Sequence, residues 1–212
     1  MSSVGAANAT ASAAASSDDF TFGTTGVQCV GPGGPVSQIG KFQTPGAPFA
    51  VTASGTYQAN NSEIMAVLTD MEVWPMGAPT INKGHVKNPQ KTKFLTAEQV
   101  GTTNSPGLGP DGVYRDPWGN PYIITVDMNY DDKARDALYR LSAVSDNGSG
   151  QGLNGLILKT DSSGNPVLVG GQKVYEANTP VMVWSAGVDK SVDPAKAANQ
   201  GANKDNIISW KQ

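Results

Sequence analysis

The chain has 212 residues, with 15 Lys and Arg against 18 Asp and Glu, one His, one Cys, 25 Gly and 14 Pro. One cysteine excludes an internal disulfide, and with one histidine it excludes a Cys/His zinc site. The formal charge of −3 argues against a general affinity for nucleic acid. No apolar run approaches the roughly 18 residues that cross a bilayer, and the first residues lack the apolar core of a signal peptide. The length suits one domain with a real core, and the surplus of Gly and Pro points to long loops.

Residues 1–17 are almost wholly Ala, Ser, Gly, Asn and Thr, so a helix there would have no apolar stripe to bury. They read as a flexible Ala/Ser leader, or the end of a truncated helix, ahead of a single domain at 18–212. Phe20, Thr21 and Phe22 alternate as a short strand does. Residues 23–60 read as loop, with turn chemistry at 31–35 and 44–48. Cys29, between two Val residues in sequence context, reads as a small buried hydrophobe, because no basic neighbour would activate a thiol.

The clearest predicted helix covers 62–73. Asn61 or Ser62 would cap it, and Ile64, Val67, Leu68 and Met71 fall on one face. Pro75 would stop it. From 76 to 121 the chain reads as irregular, with one helical turn at 96–99. Lys83, Lys87, Lys91 and Lys93 cluster with His85 in what reads as a solvated loop, since no interleaved aromatics suit nucleic-acid stacking.

A strand is predicted at 122–128, with Tyr122, Ile124, Val126 and Met128 on one face. A helix is predicted at 131–144, with Ala134, Ala137, Leu138 and Leu141 on its apolar side. Extended segments at 153–159 and 167–169 flank a turn at 161–166, and 181–184 is the last strong strand. Ile207, Ile208 and Trp210 close the chain as apolar anchors. Helix followed by strands indicates α+β with an antiparallel sheet.

Chemistry-bearing motifs are few. A Ser-His-Asp triad would need His85, which lies in a Lys-rich loop without a nucleophile-elbow pattern. No phosphate-binding glycine motif is present, so the chain is expected not to be an enzyme. Asp127, Asn129 and Asp131 alternate like the opening of a Ca²⁺ loop, but Asp132 stands where Gly is wanted and no closing Glu follows. Asp161, Ser163 and Asn165 read as a turn. Asp189, Asp193 and Asp205 make the C-terminal loop a candidate for a hard cation, with Lys190, Lys196 and Lys204 as competing neutralisers.

Asp116-Pro117-Trp118-Gly119-Asn120-Pro121-Tyr122, then Ser185-Ala186-Gly187-Val188-Asp189 and a closing Asn206-Ile207-Ile208-Ser209-Trp210, resemble the pseudopilins of type II secretion systems. The likeness is to the major pseudopilin and covers roughly 111–128 and 181–210. It implies a pilin-like α+β fold, with a helix of the N-terminal half packed on an antiparallel sheet between long Gly/Pro-rich loops. It further implies a structural subunit of a periplasmic filament that aids protein export, associating with itself and with other pseudopilins and binding no nucleic acid. Anchoring in the inner membrane before assembly would run through an N-terminal apolar helix. That helix and its processing site have no counterpart here, so the resemblance implies a chain cut after the helix. Calcium is the implied cofactor, held by Asp189, Asp205 and the Ala186 carbonyl. Asp205 stands one place before the family's acid, where Asn206 is aligned. A type IV pilin-like surface-fibre subunit is the alternative within the class, and a calcium-dependent binding module the alternative outside it.

Overall fold

Short strands dominate the regular structure. The computed structural model describes residues 19–24, 28–31, 34–36 and 60–211. Strand β1 (Phe20–Phe22) is followed by the β2 (Gln28–Gly31) and β3 (Gly34–Val36) hairpin and by helix α1 (Asn61–Leu68). Next come the β4 (Gly107–Leu108) and β5 (Tyr114–Arg115) pair, β6 (Ile123–Val126) and the one-turn helix α2 (Ser142–Ser145). Then follow β7 (Ile157–Leu158), β8 (Leu168–Val169), β9 (Gln172–Lys173), β10 (Tyr175–Glu176), β11 (Val181–Ser185), β12 (Ser191–Val192) and β13 (Ile207–Ile208).

The central sheet has the order β1-β6-β11-β13, with every pair antiparallel. Thr21 and Met182 both register with Thr125, on opposite sides of β6. The three predicted strands at 20–22, 122–128 and 181–184 are therefore neighbours in one sheet. β12 adds in parallel to β2, placing the C-terminal loop beside the β2–β3 hairpin. That hairpin lies within the 23–60 stretch expected to be loop, which is corrected there. The leader at 1–17 and the turn at 44–48 lie outside the described residues, as does the side chain of Cys29.

The expected pilin-like α+β arrangement is not formed. Among the described residues the α-helices are α1 and α2, accompanied only by three-residue 3-10 turns, and no long helix lies across the sheet. α1 covers eight residues, not twelve, and sits at the β1 and β5 edge. It ends early because the Thr69 hydroxyl bonds back to the Met65 carbonyl, at 2.6 Å, and Asp70 turns left-handed at φ 53°. Its buried side is Asn61, Met65 and Ala66, so the helix is rotated from the face built on Ile64 and Val67. Asn61 explains the rotation. Its amide donates to the carbonyls of Tyr114 (2.7 Å) and Tyr122 (2.8 Å) and accepts from the Tyr114 N–H (3.0 Å), pinning the helix start to the sheet.

The predicted helix at 131–144 is also absent save for its last residues, and the turn at 96–99 is irregular chain. Ala134, Ala137 and Leu138 are fully buried as expected, but Ala134 is in extended backbone bridged to Ala177 and the other two lie in a turn at 137–140. Carboxylates accept N–H groups along this segment, and those of Leu138 and Tyr139 would be interior donors of a helix over 131–144. Asp127 accepts from Asn129, Tyr130 and Asp132, and Asp136 accepts from Leu138 (2.8 Å) and Tyr139 (3.0 Å).

The core lies between the sheet and this wound segment. Trp184 of β11 meets Tyr139 edge-on with centroids 5.3 Å apart, and Tyr139 meets Trp210 at 4.9 Å. Burial pushes the Tyr139 phenol up, opposed by a hydrogen bond from the Asn206 amide at 3.0 Å. Asp136, buried among them, also accepts from the Thr125 hydroxyl (2.7 Å) and the Trp184 indole N–H (2.9 Å). A buried carboxylate is tolerated because every donor aimed at it is satisfied. Among the described residues no helix is long and apolar enough to cross a membrane.

Candidate functional site

The turn at 116–122 and the segment after β11 form one buried unit. Pro117 and Pro121 limit the backbone on either side of Trp118-Gly119-Asn120, and Gly119 adopts φ 86°. The close approach also demands glycine, since a Cβ there would stand 2.9 Å from the Asn104 carbonyl oxygen. Asp116, 1% exposed, ties the turn together. Its Oδ1 accepts the N–H groups of Trp118 (2.9 Å) and Asn120 (2.7 Å), and its Oδ2 accepts the Asn120 amide (2.8 Å) and the Ser185 hydroxyl. The Asn120 amide reaches on to the Gly187 carbonyl at 2.7 Å, and the Gly187 N–H returns to Ser185 Oγ at 3.1 Å.

Gly187 is the joint between this unit and the C-terminal loop. At φ 68°, a Cβ on it would collide with the Asp205 carbonyl. The same close packing brings Asp205 against Asp189, whose N–H donates to Asp205 Oδ2 at 3.2 Å. Burial, with the Asp205 charge adding to it, raises the Asp189 carboxyl above its ordinary value, and the Lys204 charge opposes this. Asp205 Oδ1 and Asn206 Oδ1 are buried and have no hydrogen-bond partner. Ala186 is fully buried at the end of β11.

The structure thus brings Asp189 and Asp205 together and leaves Asp193 out. Asp193 caps the Ala195 N–H (2.9 Å) while its own N–H donates to Asn203. Lys204 is the neighbouring lysine whose charge acts on Asp189. The other oxygen-rich loops are turns. Asp161 accepts from the backbone of Ser163 and Asn165, and Asn129 Oδ1 accepts from the Asp131 N–H. Among the described residues no group of three His, Cys, Asp or Glu side chains could hold a metal ion. A cation at Asp189 and Asp205 would therefore rely on carbonyl and amide oxygens for its remaining ligands. Oxygen-seeking Ca²⁺ accepts such a set.

Sequence reasoning saw the 116–122 turn but not its partner, because Ser185 lies 69 positions away. It also missed Asn120 as the bridge, whereas Asn206, aligned with the family's acid, does stand beside Asp205 with a buried side-chain oxygen.

No protein-family model matches the chain, and no similar curated protein or solved structure is found.

Proposed function

We propose that the chain is the globular part of a type II secretion pseudopilin. In this reading it is a non-catalytic structural subunit that associates with copies of itself and with other pseudopilins. The filament is periplasmic, aids protein export, and is fed by subunits anchored in the inner membrane. The reading rests on the motif segments and not on the overall architecture, which departs from the pilin arrangement. The observation that carries it is the joining of Asp116 to Ser185 and of Asn120 to Gly187. Segments so far apart in sequence, both spelled as in pseudopilins, act as one buried unit, as expected if they were retained together.

Calcium belongs to this proposal. Asp189, Asp205 and the Ala186 carbonyl would hold it, and the unpartnered Asp205 Oδ1 fits an oxygen-bound cation. The ion would neutralise two neighbouring carboxylates and fasten the 186–189 turn to the chain before β13. Calcium should then raise the melting temperature, since a ligand of the native state stabilises it by about 2.7 kcal/mol at a hundred times Kd. Asp189→Ala and Asp205→Ala should each abolish that rise. No rise at millimolar calcium removes the metal from the proposal and leaves the filament reading intact.

The filament reading is tested in the source cell by deleting the gene. Exported enzymes should accumulate inside the envelope, and Asp116→Ala should fail to restore export. Normal export after deletion, with loss of surface fibres, would replace this reading by the fibre-subunit alternative.

A further inference from the structure

The single histidine is engaged at both ring nitrogens. His85 Nδ1 lies 2.9 Å from Asp70 Oδ1, and Nε2 lies 3.0 Å from Glu72 Oε1. A carboxylate oxygen only accepts, and a neutral imidazole carries one N–H. Both contacts therefore require the doubly protonated ring. The carboxylates approach opposite sides of the ring, so the trio cannot share one metal ion, in keeping with the absence of a metal-ligating group among the described residues.

The surrounding backbone is arranged for this contact. Asp70 and His85 both take left-handed conformations, at φ 53° and 56°. Asp70 Oδ1 also receives the Asn82 amide at 3.1 Å, and Glu72 Oε2 receives the Gly84 N–H at 2.8 Å. The hydrogen bond from His85 holds the Asp70 carboxyl below its usual range, against the opposing effect of burial. Asp70 and Glu72 face the ring from the turn after α1. Lys91 acts on Asp70 from the returning chain, and exposed Lys83 and Lys87 flank His85 within the loop. The ring is 20% exposed, so its proton exchanges with solvent.

We propose that His85 is a proton-operated clasp, whose charged ring ties the 83–87 tip of the loop, between buried Asn82 and Asn88, to the 70–72 turn and whose deprotonation releases that tip. The clasp is closed while the ring carries both protons and opens when it gives one up. The loop carries Lys83, Lys87 and Val86, the last 64% exposed, so its release changes the basic and apolar surface offered to a partner. This holds whether or not the chain is a filament subunit.

Amide hydrogen exchange on the whole chain, corrected for the intrinsic rate, tests the clasp. Protection of the Gly84, His85 and Lys87 amides should fall about threefold or more from the acid to the alkaline side, the factor that two partly exposed ion pairs supply. Protection of Ile124, deep in β6, should stay constant. In His85→Gln the loop amides should lose this response, and Glu72→Gln should weaken it without removing it. A native loop whose protection ignores pH, or an unchanged response in His85→Gln or Glu72→Gln, overturns the proposal. The Ile124 amide identifies a variant that has failed to fold, and Glu72→Gln then decides alone.

Discussion

Replacing Asp116 with Ala removes the acceptor for four donors at once. The half-buried Trp118 N–H can turn to water, and the Asn120 amide keeps its bond to Gly187. The Asn120 backbone N–H and the Ser185 hydroxyl are left buried with no acceptor from the turn. An orphaned buried donor costs about 1–3 kcal/mol, so the loss should be about 4 kcal/mol. That is a large share of a total stability of about 5–15 kcal/mol. Asp116→Asn keeps one oxygen for the two backbone donors and should lose about 2 kcal/mol. Ser185→Ala leaves Asp116 three donors but orphans the Gly187 N–H, and should also lose about 2 kcal/mol. Urea unfolding followed by the fluorescence of buried Trp184 measures all three. The Asp116→Ala, Ser185→Ala double variant should lose less than the sum by about 1 kcal/mol, because the pair is in direct contact. A loss below about 1 kcal/mol in Asp116→Ala, or strict additivity, would refute the picture of a single joined unit.

Asp136→Ala leaves the Trp184 indole and the Leu138 and Tyr139 N–H groups without their acceptor in the core, while Thr125 keeps its hydroxyl partner Thr21, and should cost about 4 kcal/mol or more in the same urea assay. Gly187→Ala forces a left-handed alanine against Asp205 and should cost about 3 kcal/mol or more, of which about 1–2 kcal/mol is the left-handed strain and the rest the clash with the Asp205 carbonyl; its calcium-dependent melting shift should vanish with it. Asp19 is raised from 3.8 to about 6 by burial, against hydrogen bonds from Met128 and Arg135, with Asp127 and Asp131 adding to the rise. Its contribution is thus fully present below about pH 4 and lost as pH rises through about 6. The stability of the native chain minus that of Asp19→Asn should decline across this window, and a flat difference would show that Asp19 is not held protonated.

The legible part of this fold is the part built by alternation. β1, β6 and β11 each present β-branched or aromatic residues over a few positions, and the backbone follows. Helical periodicity misled for a specific reason. Ala134, Ala137 and Leu138 have helical spacing and are buried, yet Asp127 and Asp136 compete for the nearby N–H groups and win. The rotation of α1 has a similar origin, since a face chosen for apolar residues omits Asn61 and its three bonds to the β5–β6 region. The candidate site was legible as a turn and as a pair of acids. Its assembly was not, because contacts across 69 and 67 positions leave no spacing signal.

These failures share one physical cause. With few long helices and strands, much of the backbone must find its partners in side chains. Buried Asn82 accepts the N–H groups of Lys87 and Asn88, Asn88 reaches the carbonyls of Val67 and Thr92, and Asn203 spans Asp193 and Lys196. Each does locally what a neighbouring strand does in a sheet. It follows that tolerance to substitution is inverted relative to ordinary loops. Asn203→Ala, in an irregular segment, strips the half-buried Asp193 N–H of its acceptor and the Asp193 and Lys196 carbonyls of a shared donor, and should cost about 2 kcal/mol. Ile207→Ala, in a strand but 55% exposed, should cost less than about 1 kcal/mol. The reverse order in urea unfolding would mean that the loops are held by something other than their carboxamides.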